Sequence, residues 1–143
     1  MFIKPGDPDE KLLAGCAWLE AESEGAGGCY EVMHTVMNRV HSPDFPNTVS
    51  GVIFQPNAFS WTRPTDPRHN AEPKPGDPVY AVCVYQAPFV LARDDDPTRG
   101  AVFYENPKTA TPGGWFERHI KNSPDYEMCA TSKHHIFYRK VQR

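Results

Sequence analysis

The sequence WLEAESEG at residues 18–25 ends the first predicted helix and carries three carboxylates within five positions. With about 100° of rotation per residue, Glu20 falls on the same apolar side as Cys16, one turn earlier. Glu22 falls on the other side, which we predict to face solvent together with Trp18. The helical phase therefore singles out Glu20 as the carboxylate that enters apolar surroundings.

A carboxyl group in that position suits acid catalysis. Burial raises the pKa of a carboxyl group, and the negative end of a helix dipole acts in the same direction. A glutamic acid that stays protonated near neutral pH can donate a proton to a glycosidic oxygen. Glutamates at helix ends are more often solvated, so the phase alone leaves a catalytic and a surface interpretation of Glu20 open.

Length and charge restrict the classes of function. The 143 residues fit a single domain spanning 1–143, which we expect to be monomeric. With a formal net charge of -3 and no basic run, the chain lacks the clustered cations of a nucleic-acid-binding protein.

No apolar run in the sequence is long enough for membrane insertion. The first residues lack the apolar core of a secretory signal, so we expect synthesis in a host cytoplasm without a signal peptide.

The cysteines and histidines match no common metal motif. Neither Cys-x-x-Cys nor His-Glu-x-x-His occurs, and we predict no metal and no cofactor. Cys16 and Cys83 lie on predicted helix faces and are expected to be buried thiols. A disulfide between Cys29 and Cys129 is compatible with the sequence, which does not decide it.

Hydrophobic spacing, capping residues and prolines predict a mainly helical chain. The predicted helices cover residues 10–23, 29–40, 48–54 and 79–93, and the predicted strands cover 101–106 and 134–139. The two strands are expected to pair as one small β element, with Tyr104 and Asn106 on one face and Glu105 on the other. Residues 124–132 and the proline-rich residues 62–78 are predicted to be loops.

Capping residues, glycines and prolines refine the helix boundaries. Asp9 and Asn47 are the predicted N-caps of the first and third helices. The glycines within residues 25–28 predict a flexible break between the first two helices. Pro88 is expected to kink or interrupt the fourth helix.

Several short motifs, in order along the chain, resemble the SleB-type family of spore-cortex-lytic cell wall hydrolases and its phage relatives. The family signature Glu-Ala-x-Gly-Glu corresponds to EAESE at residues 20–24, and Val-x-Asn-Arg-Val corresponds to VMNRV at 36–40. The later matches are SPDFPNT at 42–48, GVIFQP at 51–56, FS at 59–60, DPTRGA at 96–101, FY at 103–104, NP at 106–107, Trp115 and IFYR at 136–139. Together these motifs extend over nearly the whole chain.

The sequence departs from the family pattern in a few places. Ser23 stands where the family usually has glycine, and Glu22 stands where arginine is common. Glu105 replaces an aromatic residue, and the loop at residues 61–78 is longer and richer in proline. None of these changes removes Glu20.

The resemblance implies a lysozyme-like, lytic-transglycosylase-like fold and cleavage of peptidoglycan between N-acetylmuramic acid and N-acetylglucosamine. In such enzymes one glutamate protonates the glycosidic oxygen and then acts as a base while the C6 hydroxyl of muramic acid closes an anhydro ring. Glu20 inherits that role, and Glu24 supports the site or only decorates the turn. A muramidase-type hydrolase is the related alternative. The missing signal peptide favours a phage origin, as an endolysin or virion-associated lysin that reaches the wall, in the periplasm or at the cell surface, after release; a prophage copy in a bacterial cytoplasm would look identical.

Five further residues are candidates for substrate binding. Ser60, Tyr104 and Asn106 can hydrogen-bond the acetamido groups of the sugars, or can be satisfied structural groups instead. Trp61 and Trp115 can stack on sugar faces, although a tryptophan in so small a protein is more often part of the core.

Two other classes of protein remain open. A peptidoglycan amidase or endopeptidase would pair Cys29, predicted at a helix N-terminus, with His34. The second class is a non-catalytic glycan-binding or virion structural module, which would have the hydrolase fold but would not cleave glycan. The presence of Glu20 argues against that second class.

Overall fold

The structure, a computed structural model, describes residues 1–142. Its α-helices are α1 (Asp9–Ala21), α2 (Gly25–Val40), α3 (Val49–Ile53) and α4 (Pro78–Leu91), and its strands are β1 (Phe103–Glu105), β2 (Tyr126–Thr131) and β3 (Ile136–Lys140). Short 3-10 turns cover Glu22–Glu24 and Ser60–Thr62, and a π-helical turn covers Glu117–Lys121. The mainly helical prediction is confirmed.

Helix α1 forms the centre of the core rather than one side of it. It packs against α2, α3 and α4, and its hydrophobic residues between Leu12 and Leu19 are each at most 4% exposed. Burying one leucine contributes about 1.5–3 kcal/mol, so this helix supplies much of the apolar stabilisation. The predicted solvent side of α1 is wrong, because Trp18 is buried beneath the guanidinium of Arg68, 4.6 Å from its ring.

The glycine run does not form a flexible break. Helix α2 begins at Gly25, which has a φ of 73° that favours glycine, and continues through the run. A Cβ on Gly28 would lie 2.5 Å from the Cβ of Glu24. Glycine is therefore required because the turn and the first turn of α2 pack closely, and the helix is the result of that packing.

Two predicted helix caps are corrected by the structure. The N-cap position of α1 is Pro8, so Asp9 is already helical. The N-cap of α3 is Thr48 rather than Asn47, and its hydroxyl accepts a hydrogen bond of 3.0 Å from the N–H of Gly51. Both helices keep nearly the predicted bounds.

Helix α4 has a cap that its sequence encodes plainly. Asp77 Oδ1 accepts a hydrogen bond of 2.8 Å from the N–H of Tyr80, and Pro78 opens the first turn. The helix continues through Pro88, so the predicted interruption does not occur. Among the described residues, no helix combines the length and the hydropathy needed to cross a bilayer.

The sheet has three antiparallel strands in the order β1-β3-β2. The pairing of β1 with β3 was predicted, and it places Tyr104 opposite Phe137. The two-stranded prediction is wrong, because residues 126–131, predicted as a loop, form β2 on the other side of β3. The register shifts between Met128 and Ala130, which is the mark of a bulge.

Candidate active site

Glu20 lies in the last turn of α1 and lines an open groove of about 770 Å³. The groove is also lined by Arg39, Phe45, Gln55, Pro56, Asn57, Ala58, Phe59, Arg63, Phe103, Tyr104, Trp115 and Phe116. The Tyr104 hydroxyl donates a hydrogen bond of 3.0 Å to Glu20 Oε1. The β-sheet is therefore held against the end of α1 at the carboxyl group that the sequence singles out.

The surroundings of Glu20 keep its proton near neutral pH. Burial raises the pKa of Glu20 from 4.5 to about 7, and the nearby charges of Glu24 and Asp66 act in the same direction. The hydrogen bond from Tyr104 and the positive charge of Arg39 lower the pKa and partly offset that rise. A pKa of about 7 lets one carboxyl group donate a proton and later accept one under the same conditions.

Arg39 is a site residue that sequence reasoning recorded only as part of a motif. Its side chain is buried, and its Nε donates a hydrogen bond of 2.7 Å to the carbonyl of Val102. The guanidinium lies 5.0 Å from the ring centre of Phe45 and 5.1 Å from that of Phe103. Arg39 therefore holds a fixed positive charge in the wall of the groove. The sequence feature that could have indicated this role is the arginine of the VMNRV motif.

Trp115 forms an exposed aromatic wall of the groove. It is 56% exposed and stacks on His119, with ring centres 5.1 Å apart and an interplanar angle of 19°. Phe103 lies behind it, with ring centres 6.2 Å apart. A flat, exposed indole beside Glu20 is the geometry that stacking on a sugar ring requires.

The other predicted binding residues are not gathered around Glu20. Trp61 is 1% exposed and packs on Phe59, so its predicted contact with substrate is wrong and it belongs to the core. Ser60 is exposed but is not among the residues that line the groove. Asn106 lies past the end of β1 and lines a neighbouring groove.

Glu24 is half-buried next to the site rather than in it. Its Oε1 lies 3.3 Å from Nδ1 of His135. Burial raises the pKa of Glu24 to about 7, and the charge of Glu31 adds to this. Glu24 acts on Glu20 through its charge, since ionised Glu24 makes the ionisation of Glu20 less favourable.

Glu22 does not face open solvent. Its Oε1 lies 2.5 Å from Nη1 of Arg68, which comes from the long proline-rich loop. The same guanidinium donates hydrogen bonds to the carbonyls of Trp18, at 3.2 Å, and Leu19, at 3.3 Å. Arg68 therefore satisfies carbonyl groups at the C-terminal end of α1, one and two residues before Glu20.

The aspartate of DPTRGA holds the chain rather than a ligand. Asp96 accepts hydrogen bonds of 2.8 Å each from Asn38 Nδ2 and from the N–H groups of Thr98 and Gly100. Burial raises the pKa of Asp96, but these hydrogen bonds outweigh burial and hold it below its ordinary value. Asn38 also donates to the carbonyl of Ala101 at 2.9 Å, which fixes the approach to β1.

The cysteine chemistry considered from the sequence does not fit. Cys29 lies inside α2, and its thiol points at the carbonyls of Ala17 and Ala21, 3.6 Å from each. The neighbouring Cys83 thiol and burial raise its pKa, so a reactive thiolate is disfavoured. His34 is 3% exposed, and its Nε2 lies 3.0 Å from Asp94. His34 is therefore engaged with Asp94, and the Cys29 thiol with helix carbonyls.

The Cys29–Cys129 disulfide that the sequence left open is absent from the described structure. Both thiols are free. The Cys129 thiol instead donates a hydrogen bond of 3.2 Å to the carbonyl of Thr98. Within residues 1–142, no group of three or more histidine, cysteine, aspartate or glutamate side chains is arranged to hold a metal ion.

The sequence is similar to that of a known protein family and to those of several of its members. A model of the family described as Cell Wall Hydrolase matches residues 23–138. The chain is 36% identical to the spore cortex-lytic enzyme of Halalkalibacterium halodurans over 132 residues, which is 86% of this chain and 35% of that protein. It is 34% identical to the spore cortex-lytic enzyme of Bacillus subtilis over 130 residues, which is 85% of this chain and 37% of that protein. The chain thus spans little more than a third of these relatives.

Solved structures show the same fold. The catalytic domain of the Bacillus cereus SleB protein is 30% identical and has a TM-score of 0.67, with 90% of this chain and 88% of that chain covered. The catalytic domain of the germination-specific lytic transglycosylase SleB from Bacillus anthracis is 28% identical with a TM-score of 0.68, covering 94% and 98% of the two chains. The small helical domain with a three-stranded sheet is therefore similar to catalytic domains.

Proposed function

Because the chain belongs to the cell wall hydrolase family, we propose that it is a lytic transglycosylase that cleaves peptidoglycan between N-acetylmuramic acid and N-acetylglucosamine. The observation that carries this proposal is one carboxyl group, Glu20, with a pKa of about 7 in an open groove. Among the described residues, Glu20 is the only carboxylate that lines the groove. A retaining or inverting glycosidase uses a pair of carboxylates, so a single one favours the transglycosylase.

Glu20 performs both proton transfers in this mechanism. Its protonated carboxyl group gives a proton to the glycosidic oxygen, and the bond between that oxygen and C1 of muramic acid breaks. The resulting carboxylate then takes the proton of the C6 hydroxyl as O6 bonds to C1 and closes the anhydro ring. The proton gained by Glu20 restores its starting state, and no water enters the products.

Neighbouring residues assist the two states of Glu20. The Tyr104 hydroxyl stabilises the carboxylate after the first proton transfer, because its hydrogen bond favours the charged form. Arg39 adds positive charge to the same wall. Trp115 offers an exposed face on which a sugar ring can stack.

Product analysis tests the reaction and substitution tests the residue. Mass spectrometry of digested sacculi should show anhydro-muramic ends; reducing ends would instead establish a muramidase. Glu20→Gln should lower the rate of glycan cleavage by about 10²–10⁴-fold or more, since glutamine cannot deliver the proton.

Glu22→Gln is the matched control from the same segment and should retain most activity. An equal loss in both folded variants would show that the effect is not specific to the proton donor, and a fully active Glu20→Gln protein would refute the mechanism. A phage origin, a monomeric state and the route to the wall stay predictions.

A further inference from the structure

A second groove, of about 490 Å³, lies beside the first. Trp115 and Phe116 line both grooves, so these two rings form an aromatic wall that the grooves share. Glu105 lines the second groove and directly follows Tyr104, which reaches Glu20. Successive side chains of a strand point to opposite faces, which agrees with Tyr104 lining the first groove and Glu105 the second.

Glu105 is a buried carboxylate with an unused oxygen. Its side chain is 9% exposed, and within residues 1–142 its Oε1 accepts no hydrogen bond. The carboxylate as a whole does have a neighbour, because burial and the adjacent, hydrogen-bonded Glu105 raise the pKa of the Tyr138 hydroxyl. The nearest cation, Nζ of Lys121, is 3.8 Å away, beyond hydrogen-bonding distance, and its side chain is 52% exposed. A buried acceptor without a donor is unfavourable by about 1–3 kcal/mol, so a donor from a ligand would be bound favourably there.

The charges in this groove indicate what kind of ligand it fits. The sugar rings and their acetamido groups are neutral, and the lactyl group of muramic acid is also neutral where a peptide is attached to it through an amide bond. The peptide attached to the lactyl group of muramic acid carries amide N–H groups, carboxylates and free amines. Glu105 can accept from an amine or an amide, and the mobile end of Lys121 can bind a carboxylate.

We propose that the groove beside Trp115 binds the stem peptide of peptidoglycan, with Glu105 as the buried acceptor and Lys121 as the exposed cation. The sugar that stacks on Trp115 would project its lactyl substituent over the aromatic wall into this groove. No bond is made or broken here, and the groove only adds affinity. This inference rests on the proposed glycan-cleaving function. Glu105 stands where the family usually has an aromatic residue, which makes the subsite a property of this chain.

The test compares soluble, uncross-linked glycan strands that carry stem peptides with the same strands after an amidase has removed the peptides and the exposed lactyl carboxylates have been converted to neutral amides. We expect wild-type kcat/KM to be roughly tenfold higher on the peptide-bearing strands, as one hydrogen bond to a charged group provides. In Glu105→Leu, which has similar size and no oxygen, that ratio should fall towards one. Lys121→Met, at an exposed position, should lower the ratio without endangering the fold.

Glu10→Gln serves as the control, since Glu10 is an exposed carboxylate at the opposite end of α1 from Glu20. It should keep the wild-type ratio. Equal wild-type rates on both substrates, or a tenfold ratio that persists in both groove variants, would overturn the stem-peptide subsite and leave glycan cleavage standing. Failure of the wild type to cleave either substrate would overturn the proposed function itself and this inference with it.

Discussion

Replacing Glu20 with glutamine is expected to stabilise the folded protein at pH 8. Glutamine keeps the shape of the side chain and can still accept the hydrogen bond from Tyr104, but it cannot ionise. In the folded protein burial raises the pKa of Glu20 from 4.5 to about 7, whereas in the unfolded chain the carboxyl group is fully solvated. At pH 8 the wild type must therefore hold an unfavourable buried charge that the variant lacks.

The difference between the pKa of Glu20 in the folded and the unfolded state sets the magnitude of this gain in stability. One pH unit corresponds to about 1.4 kcal/mol, so a rise in pKa from 4.5 to about 7 corresponds to about 3 kcal/mol. The residue is partly exposed, and solvent screening reduces this, so we expect a gain of about 2 kcal/mol. Because the pKa of Glu20 is higher in the folded state, the protonated carboxyl group contributes its full stabilisation to the folded wild type below pH 4.5. That stabilisation is lost as the pH rises through about 7.

Urea unfolding of both proteins between pH 5 and pH 8 measures this effect. The free energy of unfolding of Glu20→Gln, relative to the wild type, should rise across that range and then level off. Glu10→Gln, which removes an exposed carboxylate from the first turn of α1, should show no such rise. Equal stability of Glu20→Gln and wild type at pH 8, or a difference that does not depend on pH, would refute a buried, proton-retaining Glu20.

Three further substitutions probe the site and the core. Tyr104→Phe removes the hydroxyl that lowers the pKa of Glu20, so the loss of activity at high pH should move up by about one pH unit in initial-rate profiles; a downward move would contradict this role. Cys29→Ala should keep most glycan cleavage, because the Cys83 thiol and burial raise the pKa of Cys29; a folded, inactive protein would restore a cysteine mechanism. Trp61→Ala should lower the free energy of unfolding in urea by about 3–5 kcal/mol, since Trp61 is 1% exposed; a small change in stability with a raised KM would return Trp61 to the substrate site.

Glu20 is predictable from sequence because helical phase and a family signature agree on it. Its partner Tyr104 is 84 residues away, and sequence gave it only a role in sugar binding. Trp61 and Trp115 could not be told apart, since both are aromatic and follow turn residues. Only the packed structure distinguishes the core indole from the exposed one.

The strand β2 and the start of α2 were predicted incorrectly for the same physical reason. In both segments, packing outweighs the local conformational preference of the sequence. Residues 126–131 lack a clean alternation of apolar and polar side chains, and the bulge after Met128 interrupts it further, so β3 rather than local sequence defines β2. Glycine has a low intrinsic helix propensity, yet Gly28 lies within α2, and its close contact with Glu24 explains why this helical position has no side chain.

The contact between Arg68 and Glu22 ties the proline-rich loop to the end of α1, next to the residue that carries the chemistry. A shorter loop without Arg68 would remove its hydrogen bonds to the carbonyls of Trp18 and Leu19, although the Trp18 carbonyl would keep the backbone N–H of Glu22. Any exchange of this loop should therefore retain a cation at the place of Arg68, because its loss removes a donor from the Leu19 carbonyl and the ion-pair partner of Glu22.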